Sequence, residues 1–193
     1  EEQIAKRVEE MGAEISASYT NLEKPLVVIC TLKGAATFFA DLSRTLEVDT
    51  VWEFMSFSSY GQGTTSSGAV QLNLDLKMDI TDRDVLVIED ILDTGNTLKY
   101  MTKQLAARDP KSVKVACFLH KTEMTLPGVS CDFVGFQIPS KFVVGYGLDF
   151  AQKYRGIPFV GVLAPWVYTK ASPEVKAMDG SLASGDVSTI PGL

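Results

Sequence analysis

Glu89, Asp90 and Asp93 place three carboxylates in the run VLVIEDILDTGNT, residues 85 to 97, directly ahead of Thr94, Gly95, Asn96 and Thr97. A strand-to-helix turn that needs only a cap and a bend uses one acid and a glycine. Three acids imply a further role. Carboxylates accept from hydroxyls and bind hard cations, whereas threonine hydroxyls and the amides that open a helix donate to an anion. Gly95 lets the chain approach a phosphate without a Cβ in the way. No lysine lies in this loop, so it is not the GxxxxGK[ST] nucleoside-triphosphate cradle. The combination suits a sugar phosphate, its hydroxyls read by acids and its metal-bound phosphate held by amides.

Such a loop must sit between a strand and a helix. Val85 to Ile88 are an unbroken apolar run, as in a strand buried on both faces, and Leu98, Met101 and Leu105 recur at helical spacing beyond it. The same alternation extends along the chain. Ile4, Val8, Met11 and Ile15 mark an N-terminal amphipathic helix packed on the domain edge. Leu26–Thr31 reads as a strand, Leu32-Lys33-Gly34 as a loop and Ala35–Leu46 as a helix facing inward through Phe38, Phe39 and Leu42. Val51–Phe57 and Val70–Leu76 are strand-like, the second strictly alternating and therefore wet on one face. Ser58 to Gly68 between them is too long and small-sided for a tight turn and reads as mobile. Val113–Leu119 is a strand ending at His120 and Lys121, followed by a short strand over Asp132–Phe136. A short helical piece bearing Arg155 precedes a last strand over Phe159–Leu163. Strands alternating with helices imply a mostly parallel sheet with right-handed crossovers.

The 193 residues suffice for one well-filled domain, and 46% hydrophobic with 22% charged residues is ordinary for a globule. Residues 1–170 are read as that domain and 171–193, rich in Ser, Ala, Gly and Pro, as a surface tail. No apolar stretch reaches the roughly 20 residues needed to span a bilayer, and the first residues are acidic, so a cytoplasmic location is expected. The net charge of -6 argues against wholesale nucleic-acid binding. It also opposes an anionic substrate, which local lysines, arginine and a divalent cation must offset. Three widely spaced cysteines fit no zinc or CxxC pattern, and Cys30 and Cys117 read as structural thiols inside strands. A lone histidine makes no metal site, so His120 reads as a flank of Lys121.

The segment 85–97 resembles the phosphoribosyl-pyrophosphate (PRPP) signature of type I phosphoribosyltransferases. Four further places, across roughly residues 25 to 165, resemble the hypoxanthine-guanine phosphoribosyltransferase family. Leu32-Lys33-Gly34 is similar to its pyrophosphate loop, whose Leu-Lys bond is characteristically cis. Lys121 matches a purine-selecting lysine, and Lys141 to Phe150 matches the base-binding segment almost position for position. Ser59 and Tyr60 resemble the Ser-Tyr pair of a flexible loop that folds over the site. The resemblance implies an α/β fold, a mostly parallel twisted sheet flanked by helices with a small base-binding hood, and a magnesium-dependent enzyme acting as a homodimer or homotetramer.

It also implies roles. Glu89 and Asp90 would fix the ribose hydroxyls, Thr94, Gly95, Asn96 and Thr97 the 5′-phosphate, and Lys33, Gly34 and Arg155 the pyrophosphate. Phe142 would stack on the purine while the Val143 backbone reads its edge, a following Gly-Tyr-Gly turn favouring a surface platform. Lys121, only a donor, suits an exocyclic oxygen and not an amino group. Asp93 would exchange a proton with N7, and Glu89, Asp90 and Asp149 would hold magnesium, partly through water. The expected reaction is purine salvage: transfer of 5-phosphoribosyl from PRPP to N9 of hypoxanthine, guanine or xanthine. Asn96 and Ala35 depart from the family pattern, and changed affinity is expected there. Rival readings are a PRPP-sensing regulator on the same fold and an enzyme for adenine, orotate or uracil.

Overall fold

The computed structural model describes residues 1–59, 70–169 and 187–189. In chain order the elements are α1 (Glu2–Ser18), β1 (Leu26–Leu32), α2 (Ala36–Ser43), β2 (Thr50–Ser59), β3 (Val70–Leu74), β4 (Asp84–Leu92) and α3 (Asn96–Ala106). There follow β5 (Ser112–His120), β6 (Phe133–Gln137), β7 (Val143–Val144), β8 (Gly161–Leu163), α4 (Pro165–Thr169) and β9 (Val187–Thr189).

Six strands form one sheet in the order β3-β2-β1-β4-β5-β6. All neighbours are parallel except β2 and β3, which form an antiparallel edge pair. The unbroken apolar runs explain the centre. Val27 and Ile29 of β1 and Val85 and Val87 of β4 join one core with Leu98, Met101 and Leu105 of α3. Leu26, Val28 and Cys30, with Leu86 and Ile88, face the other core under α1 and α2. Both sheet faces are therefore dry, as parallel sheets require. At the edge, β3 shows its alternation: Val70 and Leu72 are half-buried while Gln71 and Asn73 are exposed.

Ile4, Val8, Met11 and Ile15 are all buried, and α1 lies on α2 and on the edge strand β6. Arg7 ties it down, donating to the Gly135 and Val134 carbonyls at 3.1 and 2.9 Å. The stripe is consumed within the chain. Exposed apolar bulk lies elsewhere, including Trp52 and Phe54 of β2 and Leu74 of β3.

Other expectations change in detail. The second helix is shorter than Ala35–Leu46, running only from Ala36 to Ser43. Arg155 lies in turns, not in a helix, because Ala151, Gln152 and Tyr154 all have φ between 49° and 76°, a region a helix cannot use. The strand expected over Phe159–Leu163 shrinks to Gly161–Leu163 and leaves the main sheet. It pairs antiparallel with β7 and with β9, making a separate three-stranded hood. β9 falls in the stretch expected to be tail.

Candidate active site

The carboxyl ends of β1, β4 and β5 lie side by side, which is where open parallel sheets gather ligands. β4 runs out through Glu89 and Asp90 to Leu92, and Gly95 caps α3 with φ 86°, leaving the first amides of a helix of 11 residues without intrahelical acceptors. Residues 89 to 98 line a cavity of about 260 Å³. The fold adds a second constraint on the glycine. A Cβ at Gly95 would stand 2.7 Å from Cγ1 of Val129, so its bareness admits Val129 from the side and suits the positive φ.

The acids divide by environment. Glu89 is 8% exposed, and Asp90 is half-buried at the strand end. Burial first, then the adjacent Asp90 charge, holds the Glu89 carboxyl well above the usual range. Burial also raises Asp90, partly offset by hydrogen bonds and by the Arg155 guanidinium. Oε2 of Glu89 is buried and has no hydrogen-bond partner, an orphan acceptor that a cation would satisfy. Asp149 does not join these two. Its carboxylate pairs with Arg155 at 2.7 Å and accepts from the Gln152 amide at 2.8 Å. Among the described residues no three His, Cys, Asp or Glu side chains form a metal cage. The set fits magnesium of the open kind, which keeps waters and takes substrate phosphates as ligands.

Asp93, beyond the strand, turns outward and accepts from Lys121 Nζ at 2.8 Å, joining the loop after β4 to the end of β5. Lys121 is buried and Asp93 half-exposed. On the β1 side the Leu32–Lys33 peptide is cis, as the resemblance implies, and Lys33 is exposed. Gly34 lies directly against Asp90: a Cβ there would overlap Oδ2. Gly147 of the hood covers the same spot, since its own Cβ would stand 2.1 Å from the Gly34 carbonyl oxygen.

A family model for the phosphoribosyl transferase domain matches residues 1–151. A hypoxanthine-guanine phosphoribosyltransferase of Bacillus subtilis is 45% identical over 168 residues, 87% of this chain and 92% of that one. The chain belongs to the hypoxanthine-guanine phosphoribosyltransferase family. The Mycobacterium tuberculosis protein of the same name is 44% identical over 171 residues, 86% of this chain and 85% of its own. The crystal structure of a Staphylococcus aureus hypoxanthine phosphoribosyltransferase superposes with TM-score 0.81 at 42% identity, covering 86% of this chain and 90% of that one. A Trypanosoma cruzi hypoxanthine phosphoribosyl transferase, studied for the role of its C-terminal region in oligomeric state, gives 0.82 at 41%, with 88% and 91% covered.

In this phosphoribosyltransferase the hood carries the expected base-binding segment. Phe142 is 39% exposed and meets Phe150 edge to face at 5.6 Å. Val143 is buried, pairing with Val162. The Gly-Tyr-Gly turn that follows is itself buried. Tyr146 is buried against Phe118 with centroids 4.8 Å apart, and its hydroxyl donates to Asp41 at 2.6 Å, so the turn anchors the hood to α2. Arg155 is committed to Asp149 and to the Gly147 carbonyl at 2.7 Å. Ser59 ends β2, whereas Tyr60 lies outside the described residues.

Sequence reasoning missed the loop between β5 and β6. Thr125 Oγ1 reaches the Asp93 carbonyl at 3.0 Å, and the Leu126 amide donates to the Thr94 carbonyl at 3.0 Å. No spacing announces these contacts; they join segments 32 residues apart.

Proposed function

We propose that this chain transfers the 5-phosphoribosyl group of PRPP to N9 of a 6-oxopurine, releasing pyrophosphate and forming the nucleoside monophosphate with inversion. The Asp93–Lys121 pair carries the reading. It ties a proton acceptor beside a phosphate cradle to an ammonium that can only donate. A 6-oxopurine satisfies both: O6 accepts from Lys121, and N7–H faces Asp93. Adenine would set its amino group against Lys121, and an unsatisfied donor in a dry site costs about 1–3 kcal/mol.

The anomeric carbon–oxygen bond to pyrophosphate breaks as N9 bonds to that carbon, and Asp93 takes the N7 proton so that N9 gains electron density. Thr94, Gly95, Asn96 and Thr97 hold the 5′-phosphate, orienting the sugar without bond-making. Glu89 and Asp90 bind its hydroxyls. Lys33, Gly34 and Arg155 receive pyrophosphate, with Arg155 released from Asp149 to do so, and the positive charge they bring to the leaving group is the largest catalytic contribution. Phe142 stacks on the base and the Val143 backbone reads its edge. Magnesium, when bound, neutralises charge on pyrophosphate; Glu89, Asp90 and, through water, Asp149 would hold it.

Residues 1–170, with β9 completing the hood, are the unit we assign to this reaction. A homodimer or homotetramer is the proposed assembly, supported by the exposed Trp52, Phe54 and Leu74. A cytoplasmic setting is supported by three free thiols, which suit a reducing compartment. Among the described residues no helix is long and apolar enough to cross a membrane.

The test is to incubate the protein with PRPP and magnesium plus hypoxanthine, guanine, xanthine or adenine, following the ultraviolet change. Turnover with 6-oxopurines and not adenine is expected. Turnover with adenine alone, or with none, overturns the assignment.

A further inference from the structure

The Thr125 hydroxyl has three neighbours: the Asp93 carbonyl at 3.0 Å, the Lys121 carbonyl at 3.1 Å and His120 Nε2 at 3.0 Å. A hydroxyl owns one proton. Both carbonyls can only accept; with the proton shared between them, His120 is the donor through Nε2–H. Thr125 thereby gathers the loop after β4, the end of β5 and the single histidine. Next to it the Leu126 amide takes the Thr94 carbonyl at 3.0 Å, and Val129 fills the space beside Gly95.

Two successive carbonyls, Asp93 and Thr94, are thus drawn toward the β5–β6 loop. In a trans peptide the following N–H points opposite to the carbonyl. The Thr94 and Gly95 amides are therefore turned away from that loop, and among the described residues neither has an acceptor. The cavity is lined by residues 89 to 98 and not by Thr125 or Leu126. We infer that Thr125 is a positioning residue: with the Leu126 amide it fixes two peptide planes of the phosphate loop so that their amides face the phosphoribosyl donor. It touches no substrate. Its hold on Asp93 is through the backbone, so it sets the loop and not the charge of the carboxylate.

This inference rests on the proposed transfer reaction, so wild-type turnover is measured first. An inactive wild type defeats that reading. With an active one, Thr125→Val, nearly the same shape without the hydroxyl, is expected to raise KM for PRPP about fivefold, the loss of one hydrogen bond. KM for hypoxanthine should stay within about twofold, and Thr125→Ser, which restores the hydroxyl, should return KM for PRPP to within about twofold of wild type. A Thr125→Val enzyme with wild-type KM for PRPP, an equal rise in both KM values, or no rescue by serine overturns the inference. A further check needs no variant: 15N NMR of the wild-type protein above pH 8 should show His120 as the Nε2–H tautomer. The Nδ1–H tautomer would make Thr125 the donor to the ring, leave the Asp93 carbonyl unheld, and overturn the inference equally.

Discussion

Asp93 and Glu89 are four positions apart and are given opposite work by their surroundings. Glu89 is buried, raised and short of a hydrogen-bond partner, and so suited to a cation; Asp93 is half-exposed and ion-paired to Lys121, and in the proposed reaction it would meet the base. Asp93→Asn keeps the shape and removes proton exchange. It is expected to lower kcat by about 10²–10⁴ while KM for PRPP changes little, as steady-state kinetics with hypoxanthine would show; near-normal kcat would remove Asp93 from the chemistry. The sequence makes such acids legible because capping needs only one. At Gly95 the motif is legible but one constraint is not: Val129, 34 residues on, packs into the space beside it. Thr125 is illegible for the same cause, since its partners are chosen by the fold and not by its neighbours.

At the scale of elements, the parallel strands declare themselves through continuous apolar runs, and α1 through an i, i+4 stripe that is fully buried. The hood declares itself poorly. Its strands are two or three residues long, too short for a period, and the turn at Arg155 uses positive φ at residues other than glycine, which propensity does not foretell. What fastens the hood is Tyr146. Burial, then its bond to Asp41, pushes its hydroxyl above the usual value of 10.0. A folded-state pKa raised in this way stabilises the fold fully below the unfolded value, and that stability is lost as pH rises through the folded one. Wild-type stability should therefore decline above pH about 10. Tyr146→Phe should cost about 1 kcal/mol at pH 8 for the missing hydrogen bond, and its deficit should shrink at pH 10.5. Urea midpoints at the two pH values decide it; a constant deficit would show that Tyr146 does not titrate with unfolding.

At the scale of the whole molecule, one large sheet with two cores supports a small sheet that has little core of its own: Val144, Leu163 and Val167. The hood's third strand comes from residues 187 to 189. Ending the chain at Thr169 removes it and bares the edge of β8. Such a protein should keep its far-ultraviolet spectrum and main unfolding transition, yet show faster amide exchange at Val162 and a higher KM for hypoxanthine than for PRPP relative to wild type. Unchanged exchange at Val162 would mean that β9 contributes nothing to the hood. The order of the strands has a further consequence. Neighbouring strands lie about 4.8 Å apart, and β1, β4 and β5 are consecutive across the sheet. In the proposed reaction their tips would serve, in turn, the departing diphosphate, the sugar and the arriving base. On that proposal the sheet is a ruler laid along the path of group transfer, the ribosyl carbon travelling across the strands, and each participant could be retuned by altering a single loop.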